Sequence, residues 1–349
     1  MYREFDYSNL QKRTWDQEVL NYVGLIHEYK GRQQLYLSQR LADLDTLVEV
    51  AKRQSTEASN AIEGIRTTNH RLINLMADKT TPKNRDEKEI QGYRYALNLV
   101  HENYEYIPLR PNYILQLHKE MYQFSDTSFG GHFKDTPNEI DACYPDGTKT
   151  VIFKPLEPYE TPEAIERICE EYDRAIHKYN IDPLLAIPVF VHDFLCVHPF
   201  NDGNGRMSRL LTTLLLYRSG YVVGRYISLE KKIEISKEDY YDALSTCSKE
   251  WYEGSNDDTV FVKYLLGTIL AAYRDFEERV NMVGEKLSAR EMVERTVNSQ
   301  LGKFNKSDIM ELCPEIGRAS VENALRAMCE EGLIEKHGSA RATFYVRCE

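Results

Sequence analysis

Residues 198–209 read His198-Pro199-Phe200-Asn201-Asp202-Gly203-Asn204-Gly205-Arg206-Met207-Ser208-Arg209. An imidazole with a pKa of ~6.5 can take the proton of a hydroxyl at neutral pH. A carboxylate such as Asp202 can hold Mg²⁺ against phosphate oxygens. Gly203, Asn204 and Gly205 let backbone N–H groups approach an anion with little Cβ obstruction. Arg206 and Arg209 offer planar forks for phosphate oxygens and, three residues apart, share a helix face. Taken singly, Asn-Asp-Gly-Asn-Gly is turn chemistry, and a histidine before proline is usually structural. In this order the parts describe a polyphosphate site with a proton acceptor.

Two helices must position that run. Asp182-Pro183 gives an N-cap and a helix-compatible proline, and Leu184, Ile187, Val191, Phe194 and Leu195 recur at helical spacing. Pro188 interrupts this helix at the cost of one backbone hydrogen bond or a small kink. Downstream, Leu210, Leu211, Leu214 and Leu215 form a second apolar stripe that ends near Gly220. The loop therefore feeds the start of a helix whose free N–H groups and positive dipole end face the phosphates.

The run resembles the Fic family signature, His-Pro-Phe-x-[Asp/Glu]-Gly-Asn-Gly-Arg-x-x-Arg, and matches every specified position. Fic enzymes typically transfer AMP from ATP to a hydroxyl side chain of a protein. The resemblance implies that His198 is the general base, that Asp202 ligates Mg²⁺ between the α- and β-phosphates, and that Gly203, Asn204 and Gly205 form the anion hole. Arg206 would contact the phosphates, Arg209 would hold the γ-phosphate, and Phe200 would anchor the loop in the core. ATP is the implied donor and pyrophosphate the leaving group. The implied partner is a protein presenting a Ser, Thr or Tyr hydroxyl, with self-AMPylation and a homo-oligomer compatible with it.

A second short motif sits far upstream. Ser59 and Glu63 are four residues apart, on one helix face, and Gly64 marks a nearby helix end. On those grounds alone the segment is a helix with an exposed acid. Ser59-x-x-x-Glu63-Gly64 also resembles the inhibitory [Ser/Thr]-x-x-x-Glu-[Gly/Asn] motif of Fic proteins. That resemblance implies a pairing of Glu63 with Arg209. An arginine held by a carboxylate cannot also hold a γ-phosphate, so a weakly active chain is expected. Some family members with this glutamate also remove AMP, which makes Glu63 a candidate for orienting a hydrolytic water.

Between the motifs, two extended pieces flank Tyr144-Pro145-Asp146-Gly147, a strong turn signal, and Thr150 to Phe153 is β-prone. In a helical sequence this reads as a lone β-hairpin, marginal unless it packs on something. By resemblance it is a flap that aligns a target segment by adding a strand to its edge. Lys134, just before it, is a candidate for approaching substrate or phosphate. Near the end, Ser288 to Glu291 opens a helix in capping-box style, Lys306 to Leu312 suggests a second, and Gly317 to Glu330 a third with Val321, Leu325 and Met328 inward. A hairpin through Leu333–Lys336 and Thr343–Val346, turning at Gly338-Ser339, completes a pattern that resembles a winged helix-turn-helix.

These readings give a mainly α chain: a Fic-type helical core with a β-hairpin flap, then a small α+β winged-helix domain. The expected divisions are an N-terminal helical region with the inhibitory helix (1–86), a catalytic core (87–282) and the winged domain (283–349). The 349 residues, 42% hydrophobic and 28% charged, suit a soluble globular protein. The formal net charge of −11 argues against a generic nucleic-acid binder. The last 62 residues carry nine Lys/Arg and ten Asp/Glu, so DNA binding by the C-terminal domain ranks below protein contact or dimerisation, even if Arg318, Arg326 and Arg341 share a face. Seven scattered cysteines without a C-x-x-C pair read as free thiols. No run is apolar enough to span a bilayer and the first residues are polar, so a cytoplasmic location and no membrane partner are expected. Two rivals to AMP transfer stay open. One is transfer of another phosphate-containing group or removal of AMP; the other is a winged-helix transcriptional regulator or interaction protein.

Overall fold

The computed structural model describes residues 3–39, 41–143, 149–284, 288–299, 302–313, 316–339 and 343–348. It is mainly helical. The chain divides into two compact units, residues 1–32 with 51–273, and residues 33–50 with 274–349. Among the described residues no helix is long and apolar enough to cross a membrane.

Helices α1 (Gln17–Gln39) and α2 (Leu41–Ile62) open the chain. On α1, Val19 and Ile26 are buried, whereas Leu20 is 53% exposed. Short α3 (Asn69–Met76) is capped by Thr68, and α4 (Arg85–Asn103) by Asn84. Helix α5 (Pro111–Met121) carries proline at its start, where the lost N–H costs nothing.

Strands β1 (Ile140–Cys143) and β2 (Lys149–Phe153) pair antiparallel, with Asp141 opposite Val151 and an irregularity between Ile140 and Asp141. The expected turn at Tyr144 to Gly147 lies outside the described residues. The hairpin is rooted at Phe153, whose ring lies 5.8 Å from Trp251 and 5.9 Å from Tyr252, and Tyr252 Oη donates to Lys154 O at 2.6 Å.

The core of this unit is α7 (Pro183–Val197), which packs against α6 (Thr161–His177) and α8 (Asn204–Arg218). Helix α7 is apolar nearly all round, as a helix enclosed by others must be. Phe190, Phe194, Ile187 and Val197 are fully buried, and each such side chain contributes about 1.5–3 kcal/mol of burial. Asp182 caps it by accepting from Leu184 N at 2.9 Å, and Pro188 stands inside it. Helices α9 (Leu229–Ile235), α10 (Lys237–Cys247) and α11 (Thr259–Gly284) follow.

The segment from residue 288 onward has its own apolar core. Helices α12 (Ala289–Ser299), α13 (Lys306–Leu312) and α14 (Arg318–Glu330) enclose Val293, Val297, Ile309, Val321, Leu325 and Met328. Ser288 and Glu291 cap α12 reciprocally, and Asn305 and Asp308 do the same for α13. Strands β3 (Ile334–His337) and β4 (Phe344–Arg347) pair antiparallel, and Phe304 exchanges two backbone bonds with Tyr345. Arg341 lies outside the described residues.

Candidate active site

The motif histidine stands at the end of α7. His198 is its C-cap in the left-handed conformation (φ 51°, ψ 62°). A non-glycine residue there costs of order 1–2 kcal/mol, so neighbours must hold it. Asn138 Nδ2 donates to His198 O at 3.3 Å and Phe200 O at 3.0 Å. Lys134 donates from its backbone to Pro199 O at 2.8 Å and from Nζ to Val197 O at 3.1 Å. Its buried ammonium thus braces the loop from inside; burial draws it down to about 8. The Phe200 ring, fully buried, stacks at 3.7 Å on His118.

His198 Nδ1 lies 3.1 Å from Leu195 O. A carbonyl only accepts, so Nδ1 carries the proton and Nε2 is the basic nitrogen. Burial draws the imidazole down to about 4, opposed in part by that bond. His198 is therefore neutral and able to take a proton throughout the neutral range.

Helix α8 begins beside it. Gly203 is the N-cap at φ 85°, and no side chain caps this end. A Cβ at Gly203 would meet Met121 Cε at 2.7 Å and Tyr122 Oη at 2.9 Å. The Asn204 side chain turns inward, accepting from Phe200 N at 2.9 Å and donating to Phe200 O at 2.7 Å. Asn204 thus fixes the loop with its side chain, leaving its backbone N–H at the helix start.

Ser59, Glu63 and Arg209 come together across 150 residues of chain. Arg209 Nε donates to Ser59 Oγ and Nη2 to Ser59 O, both at 2.9 Å. Nη2 also meets Glu63 Oε1 at 2.6 Å. Helix α2 ends at Ile62, so Glu63 lies in the turn that follows, which Gly64 completes at φ 81°. Lys237 Nζ donates to Ile62 O at 2.5 Å and closes that helix end. Burial alone would raise the Glu63 carboxyl; the charge and hydrogen bond of Arg209, with Arg206 and Lys237, more than offset it and hold it below its ordinary value. The pair is thus complete above the ordinary carboxylate range and lost only as pH falls through the lowered value. Neutral pH does not release it.

The carboxylate also touches the helix start. A Cβ on Gly205 would fall 2.2 Å from Glu63 Oε1 and 3.4 Å from Arg209 Nη1. The space that a side chain on Gly205 would take, against the first turn of α8, is filled by the Glu63 carboxylate. Among the described residues, Arg209 Nη1 is buried with no hydrogen-bond partner within 3.5 Å, and Tyr240 lies beside this guanidinium.

Arg206 is enclosed. Its Nη2 lies 2.7 Å from Glu89 Oε2 and donates to Tyr122 Oη at 2.6 Å, and Nη1 donates to Asn60 Oδ1 at 3.4 Å. Asp202 Oδ1 accepts from Gly203 N at 2.6 Å, while Oδ2 faces Arg85 Nη2 at 3.2 Å. Among the described residues no cluster of three His, Cys, Asp or Glu side chains could hold a metal. The single part-exposed carboxylate of Asp202 fits Mg²⁺, which keeps several waters and is bound by one or two carboxylates plus substrate phosphates.

Two models of one family match the sequence, the Fic/DOC family over residues 108–216 and its N-terminal segment over residues 35–102. The chain carries a Fic domain. That domain contains His198 to Arg209, and the N-terminal match takes in Ser59, Glu63 and Gly64. A "Fido domain-containing protein" of Dictyostelium discoideum is 26% identical over 129 residues, 36% of this chain and 85% of that one. A "Protein adenylyltransferase Fic" of Drosophila willistoni is 31% identical over 139 residues, 39% of this chain. The match spans only 25% of the length of that fly protein. Among solved structures, a Fic family protein from Desulfovibrio desulfuricans G20 superposes with a TM-score of 0.64 at 21% identity, covering 96% of this chain and 97% of that one.

The sequence reading missed the groups behind the motif. His118 accepts from Gly131 N at 3.0 Å on Nδ1, so its Nε2 donates to Asp202 O at 3.0 Å. It ties the motif loop to residues 130–131. Asn138 and Glu89 were equally silent, since a lone Asn in a loop or a Glu in a charged helix carries no local signal.

Proposed function

We propose that this chain is a protein adenylyltransferase that moves AMP from ATP to a Ser, Thr or Tyr hydroxyl of a protein, and that Glu63 restrains it. One observation carries the reading. A histidine with a free basic nitrogen stands beside an uncapped helix start whose anion berth is already filled by the chain's own carboxylate. The relatives named protein adenylyltransferase support AMP as the group transferred.

The chemistry needs a positioned base and preorganised charge more than covalent help. His198 Nε2 takes the hydroxyl proton as the oxygen attacks the α-phosphorus. The new O–P bond forms, the bond to the β-phosphate oxygen breaks, and pyrophosphate leaves with the electron pair. N–H groups at the start of α8 hold the phosphates, and Arg209 takes the γ-phosphate once Glu63 yields it. Arg206, locked to Glu89 and Tyr122, supplies fixed positive charge behind the loop. Mg²⁺ bound through Asp202 supplies further charge to the polyphosphate. The hairpin β1–β2 serves as a flap for the target backbone. The C-terminal module serves protein contact, because its balanced charge lacks a basic footprint.

Intact mass of Glu63→Gly protein incubated with ATP and Mg²⁺ tests donor and reaction together. A gain of one AMP is expected. Addition of UMP or phosphocholine from their donors, with none of AMP from ATP, would overturn the donor assignment. The pH profile follows from the buried imidazole. Transfer by Glu63→Gly protein should stay level from pH 7.5 down to 5.5, because His198 protonates only near 4 and losing the Glu63 charge lowers it further. An acid limb centred near the ordinary histidine value of ~6.5 would show that His198 is not the buried base described.

A further inference from the structure

Arg85 breaks a local rule. It is the first residue of α4, after the N-cap Asn84, where the helix dipole disfavours a cation. Its side chain is 69% exposed, so it is not kept there by packing. Its Nε donates to Glu89 Oε1 at 2.6 Å, and its Nη2 to Asp202 Oδ2 at 3.2 Å. Glu89 is itself buried and also meets Arg206. Asp202 Oδ1 is committed to Gly203 N–H. Oδ2 is the oxygen with no backbone N–H on it and so the readier ligand for a metal, and Arg85 covers it.

We propose that Arg85 is a positioning residue that stands in for the divalent cation at Asp202 Oδ2, so that Mg²⁺ enters only as Arg85 leaves. The inference rests on the nucleotide reading above. A divalent ion sits about 2.0–2.1 Å from its oxygen ligand, close enough for strong repulsion from a guanidinium at the same atom. The exposed fork is free to swing while Glu89 stays fixed. Arg85 thereby keeps Asp202 aimed at the phosphates before the metal arrives and sets the Mg²⁺ concentration at which nucleotide binds.

The test is a Mg²⁺ titration at fixed ADP on the full chain in the Glu63→Gly background, read by melting temperature or by a fluorescent ADP analogue. Removing one exposed competing pair should lower the half-saturating Mg²⁺ roughly two- to fivefold in Arg85→Gln. Arg85→Lys, whose single ammonium cannot bridge Glu89 and Asp202 together, should fall between the two and serves if Arg85→Gln folds poorly. Asp202→Asn should erase the difference. A half-point that is unchanged or raised on losing Arg85 overturns the proposal; a merely structural arginine would change the ligand-free melting temperature and leave the Mg²⁺ half-point where it was. If the Glu63→Gly parent shows no Mg²⁺-dependent nucleotide binding at all, the nucleotide reading itself fails and the proposal goes with it.

Discussion

Replacing Glu63 with glycine should raise AMP transfer from labelled ATP roughly 10- to 100-fold. The estimate comes from the contact removed. A charge-assisted hydrogen bond such as Arg209 Nη2 to Glu63 Oε1 is worth about 1.5–3 kcal/mol, and about 1.4 kcal/mol is a factor of ten. The substitution also empties the berth over Gly205. It leaves Arg209 in place, because Ser59 Oγ and Ser59 O still hold Nε and Nη2. Backbone cost is small, since Glu63 stands beyond the end of α2 in a turn that already contains Gly64. No rise in rate, with nucleotide binding intact, would remove the inhibitory role.

Replacing His198 with alanine in that same background should lower transfer by about 10²–10⁴, the contribution of a positioned general base. Nucleotide affinity should change little, because on the proposed reading the phosphates meet α8 and Arg209, not the imidazole. Alanine is strained at φ 51°, so His198→Asn is the companion variant; asparagine tolerates the left-handed region and offers no base. A variant that keeps the parent rate while folding normally would show that another group accepts the proton.

The legible and illegible parts of this site differ in a physical way. The run from His198 to Arg209 could be read because each part acts locally, through a helix start, a loop and two residues on one face. Glu63 could be read only through a motif resemblance, since four-residue spacing says that Ser59 and Glu63 share a face but not what that face meets. The structure supplies the meeting at Arg209, and adds the contact with Gly205 that no spacing contains. Arg206 shows the limit most clearly. It reads as a phosphate ligand, yet its guanidinium is enclosed by Glu89, Tyr122 and Asn60, which arrive from α4, the end of α5 and α2. Partners from distant helices leave no trace in local pattern. Helical periodicity, by contrast, was enough for α7, α8 and α14, whose apolar residues recur along each element's own length.

If nucleotide phosphate uses the space that a Cβ at Gly205 would take, Glu63, whose Oε1 already lies there, is a ligand tethered to its own receptor. Its local concentration is fixed by the end of α2 and is on the order of millimolar or above for so short a tether. A free nucleotide competing for that berth shows an apparent dissociation constant multiplied by one plus the closing equilibrium. Restraint of this kind is graded. Under the proposed restraint, rising nucleotide concentration should recover part of the activity without any modifying event. A partner that displaces the turn need supply only the free energy of the closed contact, not that of unfolding a helix.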